Sequence, residues 1–318
     1  MEILLLLAFV LALAFFFEWV LRQLKIDDYE SRYVLITGCD SGFGHELARK
    51  LDKLNFNVFA CCLTHTAVEK FNETSSPKLK AIEMDVSKDV SIEKAMEIVN
   101  RTLPSGKGLW AVVNNAGILG GIGSIKLHTR QDYENTLAVN LYGVIMVTKA
   151  CMPLVLKEKG RVVNISSVSG RIAFLNSSYA ISKYGVEAFS DALRRELYRT
   201  GVKVQIIEPG AFTTSIFLET PWRLAEQKAA GLNLEAEVLS QLPDDALAQL
   251  TRPFEMIKQT GSSKLHQVVD AYCHAITAKF PKKRYQVGND AKYVYRLLWN
   301  LPECISDFYI DWLGANSI

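Results

Sequence analysis

Tyr179 and Lys183 stand four residues apart in Tyr179-Ala-Ile-Ser-Lys183, and Ser167 precedes the tyrosine by twelve residues. A four-residue separation puts two side chains on one face of a helix, so a phenol, an ammonium and a hydroxyl could meet at one reactive oxygen. The ammonium would favour the phenolate and draw the tyrosine below its usual value of ~10, making it a base close to neutral pH. Such a group moves a proton. The same pair also occurs on ordinary solvated helix faces, so it gains meaning only from what surrounds it.

Upstream, the apolar run Tyr33-Val-Leu-Ile-Thr37 leads into Gly38-Cys-Asp-Ser-Gly42-Phe-Gly44 and then a helical pattern from His45 to Asp52. This order reads as strand, glycine turn, helix. Glycines let the backbone approach a pyrophosphate, and the helix N-terminus offers N–H donors and positive dipole. The spacing G-x-x-x-G-x-G differs from the more familiar G-x-G-x-x-G dinucleotide fingerprint. Apolar runs near residues 33, 56, 79, 109, 160 and 202 are predicted strands, with helical segments between them. With 318 residues, 49% of them hydrophobic, the chain can bury one full core. The predicted fold is α/β, a doubly wound parallel sheet of Rossmann type covered on both faces.

Four motifs in this order resemble the short-chain dehydrogenase/reductase family over roughly residues 33 to 215. They are Thr37-Gly-Cys-Asp-Ser-Gly-Phe-Gly44, Asn114-Asn-Ala-Gly117 after an apolar strand, Asn140 in the next helix, and Ser167 with Tyr179 and Lys183, closed by Pro209-Gly210 and Thr214. The resemblance implies a catalytic set of Asn140, Ser167, Tyr179 and Lys183. In it the serine hydrogen-bonds the substrate oxygen, the tyrosine exchanges the proton, the lysine holds the nicotinamide ribose, and the asparagine supports a water beside the lysine. Ser167 is preferred to Ser166 because it alone precedes Val-x-Gly.

The resemblance also implies a nicotinamide cofactor held by Gly38, Asp40, Ser41, Gly42, Phe43, Gly44, Asp85, Val86, Asn114, Ala116, Gly117, Tyr179, Lys183, Pro209, Gly210 and Thr214. Asp85-Val86, ending the third strand, would contact adenine. NAD is favoured over NADP on charge, because a 2′-phosphate wants Arg or Lys nearby. Asp40 stands where phosphate-selecting relatives often carry a basic residue, and Ala60-Cys-Cys-Leu-Thr-His65 supplies no Arg or Lys. The acidic residue that usually grips the ribose diol at the end of this strand is also missing, and His65 could add partial positive charge.

The first 25 residues read as a membrane anchor. Ile3 to Leu21 is apolar throughout except for Glu18, and reaches the roughly 20 residues that cross a bilayer core. A cleaved signal is the rival reading, from Ala12-Leu-Ala14, but a basic n-region is lacking. Arg22 and Lys25 after the segment favour a cytosolic catalytic domain. Residues 30–292 form the expected dehydrogenase domain, with 211–280 as a substrate cap and 293–318 as a hydrophobic tail that could rest on a membrane, close a channel or pair subunits. The six cysteines read as small buried hydrophobes, no metal is expected, and the sequons at Asn72, Asn100, Asn164 and Asn176 read as chance. A net charge of +2 without a basic stripe gives no nucleic-acid partner, and Lys282-Lys-Arg284 reads as a solvated turn.

Further stretches narrow the resemblance to the membrane-bound retinol and 3α/17β-hydroxysteroid dehydrogenase group. They include Cys62-Leu-Thr64, Glu187-Ala-Phe-Ser-Asp-Ala-Leu-Arg-Arg-Glu196 and Tyr285-Gln-Val-Gly-Asn-Asp-Ala-Lys292. That group implies NAD-dependent oxidation of a lipophilic alcohol at the endoplasmic reticulum membrane, by a homodimer or homotetramer. Asn176-Ser-Ser178 departs from the glycine run common before the tyrosine. The alternatives are an NADPH-dependent carbonyl reductase and a catalytically idle membrane scaffold that binds dinucleotide or lipid.

Overall fold

Each of the six predicted apolar runs becomes a strand, and a seventh joins them. The computed structural model describes residues 1–120, 125, 128–173, 177–214, 216 and 259–312. Its strands are β1 (Tyr33–Thr37), β2 (Asn57–Cys62), β3 (Leu79–Glu83), β4 (Ala111–Asn114), β5 (Arg161–Ile165), β6 (Lys203–Pro209) and β7 (Arg284–Val287). They form one parallel sheet in the order β3-β2-β1-β4-β5-β6-β7. Parallel strands buried on both faces read as continuous apolar runs, which is why six were visible in the sequence. β7 lies at the edge and alternates, with Tyr285 and Val287 buried and Arg284 and Gln286 less so, and therefore offers no such run.

One sheet face packs against α2 (Gly42–Lys53), α3 (His65–Thr74) and α8 (His266–Thr277) through Leu47, Leu51, Phe71, Val268 and Tyr272. The other packs against α4 (Asp89–Thr102), α6 (Gly143–Lys157) and α7 (Ser177–Glu196) through Ile92, Val99, Val147, Val155 and Leu193. α8 thus belongs to the core layer although it falls within the span expected to cap the site. Its Val268, Val269, Tyr272 and Ile276 stripe faces the sheet. Most of that expected cap, 217–258, lies outside the described residues. The chain winds from β1 to β3 in one direction and from β4 to β7 in the other, so β1 and β4 are neighbours at the switch point. Open α/β sheets bind ligands in the crevice at the carboxyl ends of such strands.

The amino ends of the strands are fastened by a buried cation. Arg161, at the start of β5, donates through Nη1 to the carbonyls of Ala275 and Ile276, both at 2.6 Å, and through Nη2 to that of Ala278 at 2.7 Å. These carbonyls end α8, where a helix leaves acceptors unsatisfied and carries negative dipole. Trp110 is sandwiched between Arg32 at 3.8 Å and Arg161 at 4.5 Å, and its Nε1 donates to Ile276.

Helix α1 (Glu2–Gln23) contains a stretch, Leu5–Gln23, long and apolar enough to cross a bilayer and not packed inside the protein. Arg130–Lys157 meets the same length and composition, but it is the core run of α5 (Arg130–Leu137), a π-helical turn (Ala138–Tyr142) and α6. The end of α1 docks on the end of α8: the Ile26 amide donates to Thr277, the Lys279 amide to Leu24, and His274 Nε2 lies 2.9 Å from the Arg22 carbonyl.

After β7 the tail forms a π-helical turn (Asp290–Tyr295), a short helical turn (Arg296–Leu298) and α9 (Glu303–Trp312). Five cysteines are buried as expected, but Cys304 on α9 is exposed, because the tail buries only part of that helix. The Asn164 sequon is closed to modification: its side chain is buried on β5 and donates to Ser190.

Candidate active site

The glycine turn is shaped by contacts as close as backbone atoms allow. Gly38 has φ +68°, and a Cβ there would lie 2.7 Å from the Cα of Ala116, so only glycine lets β1 and β4 end side by side. Gly44 is a packing glycine whose Cβ would meet the Gly38 carbonyl at 2.3 Å. Ser41 stands at the residue before α2, which begins at Gly42, and the helix N-terminus faces the cleft with the dipole sense that favours an anion.

The cleft has a volume of about 380 Å³ and runs along the carboxyl ends of the strands. Lining it are Gly38, Asp40, Ser41, Gly42 and Phe43 of the glycine turn, Asp85 and Val86 after β3, Ala116 and Gly117 after β4, and Pro209, Gly210 and Thr214 after β6. Ser167, Tyr179 and Lys183 close its far end. Gly44, Asn114 and Asn140 are the predicted site residues that do not line it. Asn114 is still part of β4, and its amide donates to Thr148 and Asn164, both at 2.8 Å. Asn115, which the motif reading passed over, takes the place at the cleft. Its amide nitrogen donates to the carbonyls of Thr37 and Gly38, each at 3.0 Å, and its Oδ1 accepts from Tyr272. The signal for it was position: it is the first residue beyond the strand, at the carboxyl edge where ligands bind.

Asp40 is held in place by the chain after β2. Its carboxylate accepts from the Leu63 amide at 2.8 Å, the Thr64 amide at 2.9 Å and the Thr64 hydroxyl at 2.8 Å. Asp85 sits two residues beyond β3 instead of ending it, accepting from the Ser87 amide and hydroxyl. Among the described residues that line the cleft, the charged side chains are Asp40, Asp85 and Lys183.

Helix α7 presents Tyr179 and Lys183 one turn apart, and the ammonium lies 5.5 Å from the phenol ring centre. Lys183 Nζ donates to the carbonyl of Ile165 at 3.2 Å. Ser167 caps the short 3-10 turn Val168–Gly170 and hydrogen-bonds the Tyr179 side chain. Ser166 also lines the cleft, but its hydroxyl points to α7, 3.4 Å from the Lys183 carbonyl. Asn140 sits in the π-helical turn, a bulge type frequent at functional sites. Its Oδ1 accepts from the Ile118 amide, and its Nδ2 donates to the Ile118 carbonyl and to Ser182. The loop after β4 is thereby pinned to α7 beside Lys183.

Burial pushes the Tyr179 phenol up to about 12, opposed by its hydrogen bond with Ser167. Burial also brings Lys183 down to about 8, opposed by Glu187. The sequence led us to expect the lysine to draw the tyrosine down. Burial instead shifts each group toward its neutral form. Behind Lys183, Arg284 reaches Glu187 at 2.8 Å, Asp191 at 3.2 Å and Glu208 at 3.3 Å, so it is an ion-pair hub on β7 and not part of a solvated turn.

The polar groups fit a dinucleotide: a helix N-terminus for phosphates, the Asp40 and Asp85 carboxylates in the lining, and a phenol and ammonium beside Ser167. Residues 32–222 match the family pattern described as short chain dehydrogenase. The chain is 39% identical to the 17-beta-hydroxysteroid dehydrogenase type 6 of Bos taurus, over 96% of this chain and 95% of that protein. It is 41% identical to retinol dehydrogenase 7 of Rattus norvegicus, over 92% of each. Among solved structures, a short chain dehydrogenase/reductase from Burkholderia phymatum in complex with NAD superposes with a TM-score of 0.69 at 20% identity, covering 86% of this chain and 94% of its own. One from Burkholderia cenocepacia in complex with NADP gives 0.65 at 17%, covering 89% and 98%. The two structures share the fold, while the family pattern covers residues 32–222 and the sequence matches run almost end to end, so the chain belongs to the short-chain dehydrogenase family.

Proposed function

We propose that the protein oxidises a lipophilic alcohol, a retinol or a hydroxysteroid, to the aldehyde or ketone with NAD, and that α1 anchors it in the endoplasmic reticulum membrane with the catalytic domain on the cytosolic side. The observation that carries the reading is the convergence of Ser167, Tyr179 and Lys183 at the inner end of a cleft that begins at the glycine turn. The names of relatives, a 17-beta-hydroxysteroid dehydrogenase and a retinol dehydrogenase, support that substrate class.

Tyr179 removes the hydroxyl proton of the alcohol, and Ser167, which already bonds the phenol, steadies the same oxygen. Bound dinucleotide would take the carbinol hydride and bring positive charge to the inner end of the cleft. Lys183 favours the phenolate and offers its ammonium to a ribose hydroxyl. Asn140 keeps the loop after β4 against α7, so that Lys183 stays below the phenol. In the reverse direction Tyr179 returns the proton to the carbonyl oxygen. Preference for NAD is supported by the lining: Asp40 and Asp85 face the dinucleotide side, and the lining cation among the described residues stands at the far end.

Turnover by detergent-solubilised protein, offered all-trans-retinol and a 3α-hydroxysteroid with NAD and with NADP, tests the proposal. Activity with NAD on either alcohol upholds it. Activity confined to the phosphorylated cofactor overturns the charge argument, and dinucleotide binding without turnover of any alcohol moves the protein to a binding role. Tyr179→Phe is expected to abolish turnover and leave dinucleotide affinity intact; appreciable residual activity would remove the tyrosine from its role.

A further inference from the structure

The segment between Ser167 and Tyr179 is gripped from outside the cleft by the C-terminal tail. Arg171 follows the 3-10 turn that Ser167 caps. On one side its Nη1 lies 3.6 Å from Glu208, a fully buried carboxylate on β6 that also meets Arg284 of β7 at 3.3 Å. On the other its guanidinium lies over the ring of Trp299, 5.2 Å from the centroid. The next residue, Ile172, is buried in a small cluster with Leu298 and Ile310, both from the tail. These tail residues do not line the cleft.

We propose that the tail is a positioning element of the active site: Trp299, Leu298 and Ile310 clamp Arg171 and Ile172 against Glu208 and so fix the turn that presents Ser167 to Tyr179. A buried carboxylate meets the guanidinium at Nη1, and an aromatic ring lies against it. Removing either partner frees the planar group to rotate, because a cation over an aromatic ring needs its geometry kept. Ser167 lies only four residues before this bolt, within the same hydrogen-bonded turn: Gly170 donates to the Ser167 carbonyl, and Arg171 and Ile172 both donate to that of Val168. A displacement of about 1 Å at a group that orients substrate can cost on the order of 10²-fold in rate. The tail would therefore act on the alcohol end of the site and leave the dinucleotide end alone.

The catalytic part of this inference rests on the proposed alcohol oxidation, so the test has two readouts. Full-length Trp299→Ala, Arg171→Gln and the double variant are compared with wild type, with Trp299→Phe as the conservative rescue. Amide hydrogen exchange over residues 168–172 should quicken in both single variants, while the glycine turn at 38–44 keeps wild-type exchange. kcat/KM for the alcohol should fall about tenfold, dinucleotide affinity should stay within about twofold, and Trp299→Phe should restore most of the loss. The double variant should fall short of the product of the two single losses, since the singles share the Arg171–Trp299 contact. Unchanged exchange at 168–172 overturns the clamp, as does a loss of dinucleotide affinity equal to the loss in kcat/KM. Quickened exchange in a protein whose wild type turns over no alcohol upholds the clamp and rejects the proposed function.

Discussion

Strand β5 has a buried cation at each end, and the protein surrounds the two differently. Arg161, its first residue, donates to three carbonyls at the end of α8 and stacks on Trp110. Lys183 meets its last residue, donating to the carbonyl of Ile165 beside a phenol ring. Burial lowers both, the arginine to about 9 and the lysine to about 8. The arginine's charge is answered by acceptors that already belong to the fold, so it serves as a strut. The lysine keeps donor capacity unspent and titrates near physiological pH, so its charge is available to whatever enters the cleft. A buried cation answered by three carbonyls at a helix end is architecture, and one that meets a single carbonyl beside a phenol is chemistry.

Exchanging each cation for methionine separates the two roles. Lys183→Met should cut turnover by about 10²–10⁴-fold and weaken dinucleotide affinity, while the melting temperature holds or rises, because an under-partnered buried charge has been removed. A melting temperature several degrees lower would mean that the lysine is a strut as well. Arg161→Met should do the reverse. Three helix-end carbonyls lose a charged donor, at a cost of about 3–5 kcal/mol, read as a lower denaturation midpoint. Protein that remains folded should keep its KM for the alcohol, since Arg161 lies at the opposite edge of the sheet. A changed KM with an unchanged midpoint would erase the distinction.

The two ends also differ in how far the sequence revealed them. At the carboxyl ends, glycine, tyrosine and lysine at fixed spacings announce a site, because reacting groups must meet at set distances. Asn114 is the instructive position there. It and Asn115 are chemically identical neighbours, and only the end of β4 decides that one faces Thr148 and Asn164 while the other faces the cleft. At the amino ends nothing in Arg161 or Trp110 marks them, since their partners lie more than a hundred residues away in α8 and are backbone carbonyls, which every residue has. Arg284 was misread for the same reason: beside Lys282 and Lys283 it looks solvated, and only the pairing of β7 with β6 carries it to Glu187 and Glu208. Local periodicity gave the strands, whereas β7 depended on tertiary pairing.

The smallest effect expected lies behind Lys183, where the same contrast appears in carboxylates. Burial pushes Glu187 up from 4.5 to about 7, Glu208 adds to the rise, and Ser166, Arg284 and Arg171 oppose it. Between pH 4.5 and 7 the folded protein therefore retains a proton that the unfolded chain has released. The Glu187 contribution to folding stability falls as pH rises through that window and levels off above it. Lys183 acts with the opposite sign on the alkaline side: its folded value lies below 10.5, so stability rises as pH climbs from about 8 toward that figure. Glu187→Gln keeps the shape and an acceptor for Arg284 but cannot titrate. Relative to this variant, wild type should lose about 1–3 kcal/mol between pH 5 and pH 7.5, read from denaturant midpoints at each pH. Parallel curves for the two proteins would show that Arg284 answers the Glu187 charge as completely as the α8 carbonyls answer Arg161, and the carboxylate would then belong with the struts.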